Sequence, residues 1–187
     1  MSVLKKLFGK EITKKNAKIV LLGPSKAGKT TLVKYLEQGK PVEEEVRTTL
    51  GIDIRSKHFK IENWNFSVID VGGQELYQKT FWNLGVQQAD AVIYVIDGLV
   101  RRGNPNFKQA KNQFEYMKKL VEDYMPILIL VNKQDLVAEK PLTAEEAFKL
   151  YELDTLKGRS FNLVPTSAKY GTGVDLAMKW IVEKLKE

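Results

Sequence analysis

The chain has 187 residues, 28% of them charged and 43% hydrophobic, which is enough for one well-buried domain and too apolar for a disordered chain. Cysteine is absent, which excludes disulfides and thiolate metal sites and fits a cytosolic address. The formal net charge of +7 suits an anionic partner without choosing between a nucleotide phosphate, a nucleic acid and an acidic membrane, and no apolar run is long enough to span a bilayer.

Met1 to Lys10 has neither the continuous apolar core nor the cleavage site of a signal peptide. On a helical wheel Met1, Val3, Leu4, Leu7 and Phe8 fall on one side, while Lys5, Lys6 and Lys10 fall on the other or at its edges. Glu11 ends the apolar arc. A basic amphipathic helix of this kind could lie on an anionic membrane surface. A helix this short is marginal in water, so packing on the domain or fraying is an equal alternative. Residues 1–15 are therefore set apart as an N-terminal basic amphipathic segment, and 16–187 as the folded domain.

Lys18 to Leu22, Ala91 to Ile96 and Ile127 to Val131 are short Val- and Ile-rich runs closed by turns, the pattern of central parallel strands buried on both faces. A helix is expected from Lys29 to Gln38. Ile52 to Ile61 and Phe66 to Ile69 are strand-like runs separated only by Glu62 to Asn65, too few residues for a crossover, so they form an antiparallel hairpin. Phe107, Ala110, Phe114, Met117 and Val121 recur at helical spacing within Asn106 to Asp123. Thr143 and Glu146 make a capping box for a helix through about Tyr151, and Val174, Ala177, Ile181 and Leu185 form the stripe of a helix over Gly173 to Glu187. Strands alternate with helices, which makes the fold α/β with a mostly parallel sheet and one antiparallel strand.

Four motifs carry chemistry. Gly23-Pro24-Ser25-Lys26-Ala27-Gly28-Lys29-Thr30 sits between a predicted strand and a predicted helix, the context a phosphate-cradling P-loop needs. Backbone N–H groups of Ser25, Lys26, Ala27, Gly28, Lys29, Thr30 and Thr31 can face phosphates there, reinforced by the helix N-terminus. Lys29 would neutralise β- and γ-phosphates, and the Thr30 hydroxyl would be a Mg²⁺ ligand. Asp70-Val71-Gly72-Gly73-Gln74 follows the hairpin; Asp70 is placed to hold Mg²⁺ on the other side, and Gly73, lacking a Cβ, can bring its N–H against a γ-phosphate.

The other two motifs read a base. In Asn132-Lys133-Gln134-Asp135 the Asp135 carboxylate can accept from N1–H and the 2-amino group of guanine, where adenine offers an acceptor and no amine. In Thr166-Ser167-Ala168-Lys169 the Ala168 N–H could donate to guanine O6, with Ser167 and Lys169 beside it. The ligands expected are therefore GTP or GDP with Mg²⁺.

The four motifs in this order resemble the small GTPases, and Asp-Val-Gly-Gly-Gln with Asn-Lys-Gln-Asp-Leu is most similar to the Arf and Arf-like branch. The resemblance runs from Lys18 to the C-terminus. It implies a P-loop G domain with a six-stranded sheet, helices on both faces, five helices in all, a first switch containing Thr49 and a second beginning at Asp70. It further implies that Thr49 joins Thr30 on Mg²⁺ in the GTP state and that Gln74 orients the attacking water, so that Gln74, Lys29 and Thr49 form the catalytic set.

Departures from the Arf pattern are Thr48 for Pro, Ile69 for Trp, Ser25 and Lys26 for Asp and Ala, and a slightly longer stretch from Thr49 to Asp70. Ser2 stands where Arf proteins carry a myristoylated glycine, so no myristoyl anchor is expected. The function implied is a slow GTP hydrolase acting as a switch, with an exchange factor, an activating protein and effectors meeting the switch regions. A non-hydrolysing GTP-binding adaptor is the alternative, against which Gln74 argues. No RNA-binding appendage or arginine-rich tail supports a nucleic-acid partner. Arg47 lies near the place where heterotrimeric G-protein α subunits carry a transition-state arginine, although a solvated loop arginine is the plainer reading, and His58 is read as structural.

Overall fold

A computed structural model describes residues 15–44, 46, 52–72 and 78–187, with the side chains of 52–57, 78 and 79 excepted. The amphipathic segment at the N-terminus and Arg47, Thr49, Gly73 and Gln74 lie outside the described residues. The sheet contains β1 (Lys15–Leu22), β2 (Ile52–Ile61), β3 (Trp64–Val71), β4 (Ala91–Asp97), β5 (Ile127–Asn132) and β6 (Phe161–Pro165). Their order across it is β2-β3-β1-β4-β5-β6, and among the described strands only β2 runs antiparallel. The helices are α1 (Lys29–Gln38), α2 (Asn83–Gln87), α3 (Phe107–Leu120), α4 (Ala144–Leu150) and α5 (Val174–Lys184). This is the α/β sheet expected, and the five α-helices among the described residues match the number the resemblance implied.

Strand alternation divides the core. Ile19 and Leu21 of β1 face Leu32 and Val33 of α1 and Ile181 of α5, whereas Val20 and Leu22 face Trp82, Phe114 and Met117 on the other side. All seven residues of β4 and all six of β5 are buried, as strands covered by helices on both faces must be.

Several boundaries differ from the sequence expectation, three of them for a clear local reason. β1 begins at Lys15 because Asn16 and Lys18 point outward while Ala17 is buried, so the strand starts as an alternating segment before its apolar run. The hairpin turn is only Glu62–Asn63, since Ile61 pairs with Trp64 and Glu62 adopts φ 53. Trp64, Phe66 and Val68 are buried on one face of β3, and Trp64 stacks on Phe66 at 6.1 Å, so the aromatic pair draws Trp64 and Asn65 into the strand. α3 stops at Leu120 with Val121 extended, where the Arg159 guanidinium donates to the carbonyls of Lys118 (3.0 Å) and Val121. Asp123 holds Arg159 from the far side at 2.8 Å. A π-helical turn over Gln78–Trp82 leads into α2 and had no periodic signature. The capping box forms as read: Glu146 N–H donates to Thr143 Oγ1 (3.1 Å) and Thr143 N–H to Glu146 Oε2 (2.8 Å).

Candidate functional site

Parallel strands deliver their C-terminal ends to one edge of the sheet, and the four motifs meet there. β1 ends at Leu22 and opens into Gly23–Gly28 before α1; β3 carries Asp70 near its end; β5 ends on Asn132; and β6 runs into Thr166–Lys169.

Gly28 forms the N-cap of α1 at φ 101, and a Cβ there would collide with the Asn132 carboxamide, so the position excludes other residues both by conformation and by space. Lys29 is 6% exposed and its ammonium donates to the carbonyls of Gly23 and Pro24, both at 2.8 Å. Burial pushes its pKa down to about 8, while the charge of Asp70 pulls in the opposite direction. Asp70 is fully buried. Its Oδ2 accepts from the Thr30 hydroxyl at 2.8 Å and its Oδ1 has no hydrogen-bond partner. A buried carboxylate oxygen left without a donor, beside a hydroxyl, is a hard-oxygen donor set that fits Mg²⁺, an ion that takes few protein ligands and completes its shell with water and phosphate.

The two base-reading motifs are tied to each other and to the phosphate loop through Asn132, which is 3% exposed. Its Nδ2 donates to the Ala27 carbonyl (2.7 Å) and its Oδ1 accepts from the Ala168 N–H (2.8 Å). That N–H, read from the sequence as a donor to guanine O6, thus has a protein acceptor here, and meeting a base oxygen as well takes a three-centre bond. Asp135 Oδ1 accepts from Ser167 Oγ at 2.7 Å, which fixes the carboxylate's orientation. Tyr170 N–H donates to the same hydroxyl at 3.2 Å. Gln134 sends its Nε2 to the Leu142 carbonyl (3.0 Å), bracing the turn from outside.

Several partners were not named from sequence. Asp97, at the end of β4, accepts from Lys133 Nζ (2.7 Å) and the Leu99 N–H (3.0 Å), and so holds Lys133 although that residue sits at φ 72. Its place at the C-terminal end of a parallel strand was the available signal. Gly171, at φ 80, leaves a notch filled by the ring of Tyr35 from α1. Val42 is buried and its N–H donates to the Lys169 carbonyl (2.9 Å), while Glu44 pairs with Lys34 at 3.0 Å, so residues 42–44 lie along the same opening. Val42 and Glu44 border a cavity of about 400 Å³ whose walls also include Lys26, Thr31, Asn132, Lys133, Asp135 and Lys169. Ser25 belongs to the same loop and is half-buried.

Among proteins of known kind, a family model described as the ADP-ribosylation factor family matches residues 1–185. The chain is 32% identical over 192 residues to ADP-ribosylation factor-like protein 3 of Chlamydomonas reinhardtii, covering all of both chains. It is 34% identical over 170 residues to ADP-ribosylation factor-like protein 1 of Drosophila melanogaster, covering 90% of this chain and 89% of that one. A solved structure, that of the Arl6 BBS3 small GTPase from Trypanosoma brucei with bound nucleotide analogue GppNp, superposes with a TM-score of 0.76 at 25% identity over 92% of this chain and 98% of that one.

Proposed function

The chain belongs to the ADP-ribosylation factor family of small GTPases, and from that premise we propose that it is a GTP/GDP switch that hydrolyses GTP with Mg²⁺ and passes its nucleotide state to partner proteins. The observation that carries the reading is the Asp135 carboxylate, oriented by Ser167 at 2.7 Å and joined through Asn132 to the phosphate loop. A fixed, partly desolvated carboxylate selects a base edge with two donors and penalises one that presents a lone pair. Guanine has those donors.

In this reading Lys29 exchanges the Gly23 and Pro24 carbonyls for β- and γ-phosphate oxygens, and the loop N–H groups from Ser25 to Thr31 hold the remaining phosphate charge. Thr30 and Asp70, with Thr49 in the GTP state, hold the Mg²⁺, whose chemistry is to neutralise charge on the phosphate oxygens. Gln74 orients the water and Gly73 meets the γ-phosphate. The 1–15 segment attaches the protein weakly to anionic membrane through its apolar face and lysines. An exchange factor, an activating protein and effectors read the segments around Thr49 and Asp70.

Titration with GDP and with ADP in Mg²⁺ tests the base assignment. ADP is expected to bind more weakly by orders of magnitude, and Asp135→Asn to shift preference toward xanthine nucleotides. Equal affinities for GDP and ADP would overturn the reading.

A further inference from the structure

We propose that the Lys26 ammonium, on the wall of the cavity, is a second phosphate-directed cation of this site besides Lys29, and that it slows nucleotide release. The proposal rests on the guanine-nucleotide reading above. Lys26 adopts φ 64, a left-handed conformation that glycine, asparagine or aspartate takes more readily than lysine. It is also exposed, so no packing demand calls for a long aliphatic stem there. Neither the backbone nor the core accounts for a lysine at this position.

Its surroundings do. Lys26 lines the wall of the 400 Å³ cavity, and the other charged groups of that wall are mostly committed elsewhere. Lys133 is paired with Asp97 at 2.7 Å, the Lys169 ammonium lies 5.1 Å from the Tyr170 ring centre, Glu44 pairs with Lys34 at 3.0 Å, and Asp135 is held by Ser167. Lys29 is buried outside that lining, on two loop carbonyls. Among the described residues of this wall, Lys169 has a ring contact and Asp135 a hydroxyl, whereas no hydrogen bond, ion pair or ring contact engages the side chains of Lys26 and Glu43.

A concave wall focuses the attraction of such an ammonium for polyphosphate even while the ammonium stays solvated. A point charge on a flexible stem can follow the phosphates of GDP and GTP alike. Its effect therefore falls on release of both nucleotides and weakens with salt.

The test is the dissociation rate of fluorescent GDP and of a fluorescent non-hydrolysable GTP analogue from the full chain in Mg²⁺, chased with unlabelled nucleotide at low and at high salt. Lys26→Asn keeps a residue at ease in the left-handed conformation and removes the charge. At low salt it is expected to release both nucleotides about tenfold faster than the parent, the scale of one charge-assisted contact, and to converge with it at high salt. Lys26→Arg should restore slow release, and Glu43→Gln should not hasten it. Release from Lys26→Asn at the parent rate would overturn the proposal. So would an acceleration that persists at high salt, which would trace the effect to the loop backbone. Equal acceleration by Glu43→Gln would also overturn it, because Lys26 would then serve an ion pair across the cavity. A parent chain that retains no guanine nucleotide would overturn the function and this inference together, before any variant is compared.

Discussion

Asn132→Ala isolates the bond pair that joins the two halves of the site. The substitution deletes the donor to Ala27 O (2.7 Å) and the acceptor for the Ala168 N–H (2.8 Å) at a position only 3% exposed. Two neutral hydrogen bonds contribute about 1 kcal/mol each, and a buried backbone group left unpaired adds about 1–3 kcal/mol unless water reaches it. Ala168 lines an open cavity, so water can meet its N–H, and the expected loss is about 3 kcal/mol. For a domain of this size that lowers the melting temperature by about 6–12 °C. Asn132→Asp is the sharper companion. It keeps an acceptor for Ala168 but sets a carboxylate oxygen against the Ala27 carbonyl, and should be at least as damaging. The assay is thermal unfolding by circular dichroism at one fixed nucleotide concentration, paired with the nucleotide release rate, because ligand shifts the apparent stability. A melting temperature within about 2 °C of the parent, with unchanged release, would refute the reasoning, since 1 kcal/mol alone would shift it that far.

Other outcomes follow from single contacts. Gly171→Ala should speed nucleotide release, because the new methyl displaces the Tyr35 ring and a residue at φ 80 disfavours a side chain; an unchanged release rate would show that the loop does not depend on that notch. Arg159→Ala should cost about 2 kcal/mol, read as a lower urea midpoint, through loss of the bonds to the Lys118 and Val121 carbonyls at the end of α3. Thr143→Ala should cost about 1 kcal/mol by the same measurement through its cap on α4. In single-turnover assays Gln74→Leu should retain GTP and slow its hydrolysis, and retention of the parent rate would assign the water to another group.

Much of this was legible because local chemistry and tertiary structure agree. Residues 91–97 and 127–132 are apolar throughout because both faces of β4 and β5 are covered, and Thr143 with Glu146 forms its cap within one helical turn. The loop from Gly23 to Gly28 was readable as a strand-to-helix turn because its glycines stand at fixed spacing between an apolar run and a helix. What escaped was decided between elements. Trp64 looked like part of a turn until its stack on Phe66 placed it in β3, and the Glu62–Asn63 turn lacks the glycine that signals a tight hairpin. The π-helical turn at Gln78–Trp82 follows no regular period. Asp97 serves Lys133 only because β4 lies beside β5 with Asp97 opposite Asn132, a register that no window of sequence contains.

The Asn132 junction also dates the site within synthesis. Its partners stand 105 residues earlier and 36 residues later in the chain, and among the described strands β6, which leads to Ala168, pairs only with β5. A ribosome-bound chain that has released β1 through β5 owns the Gly23–Thr30 loop and Asn132 but not Ala168. On the function proposed above, nucleotide capture is a late event that follows addition of the last strand to the sheet edge, and a ligand that binds then acts on the end of folding rather than its nucleus. Chains truncated before Ala168 would pass through the cell without the stabilisation that guanine nucleotide gives the complete domain, and would be the ones exposed to proteolysis.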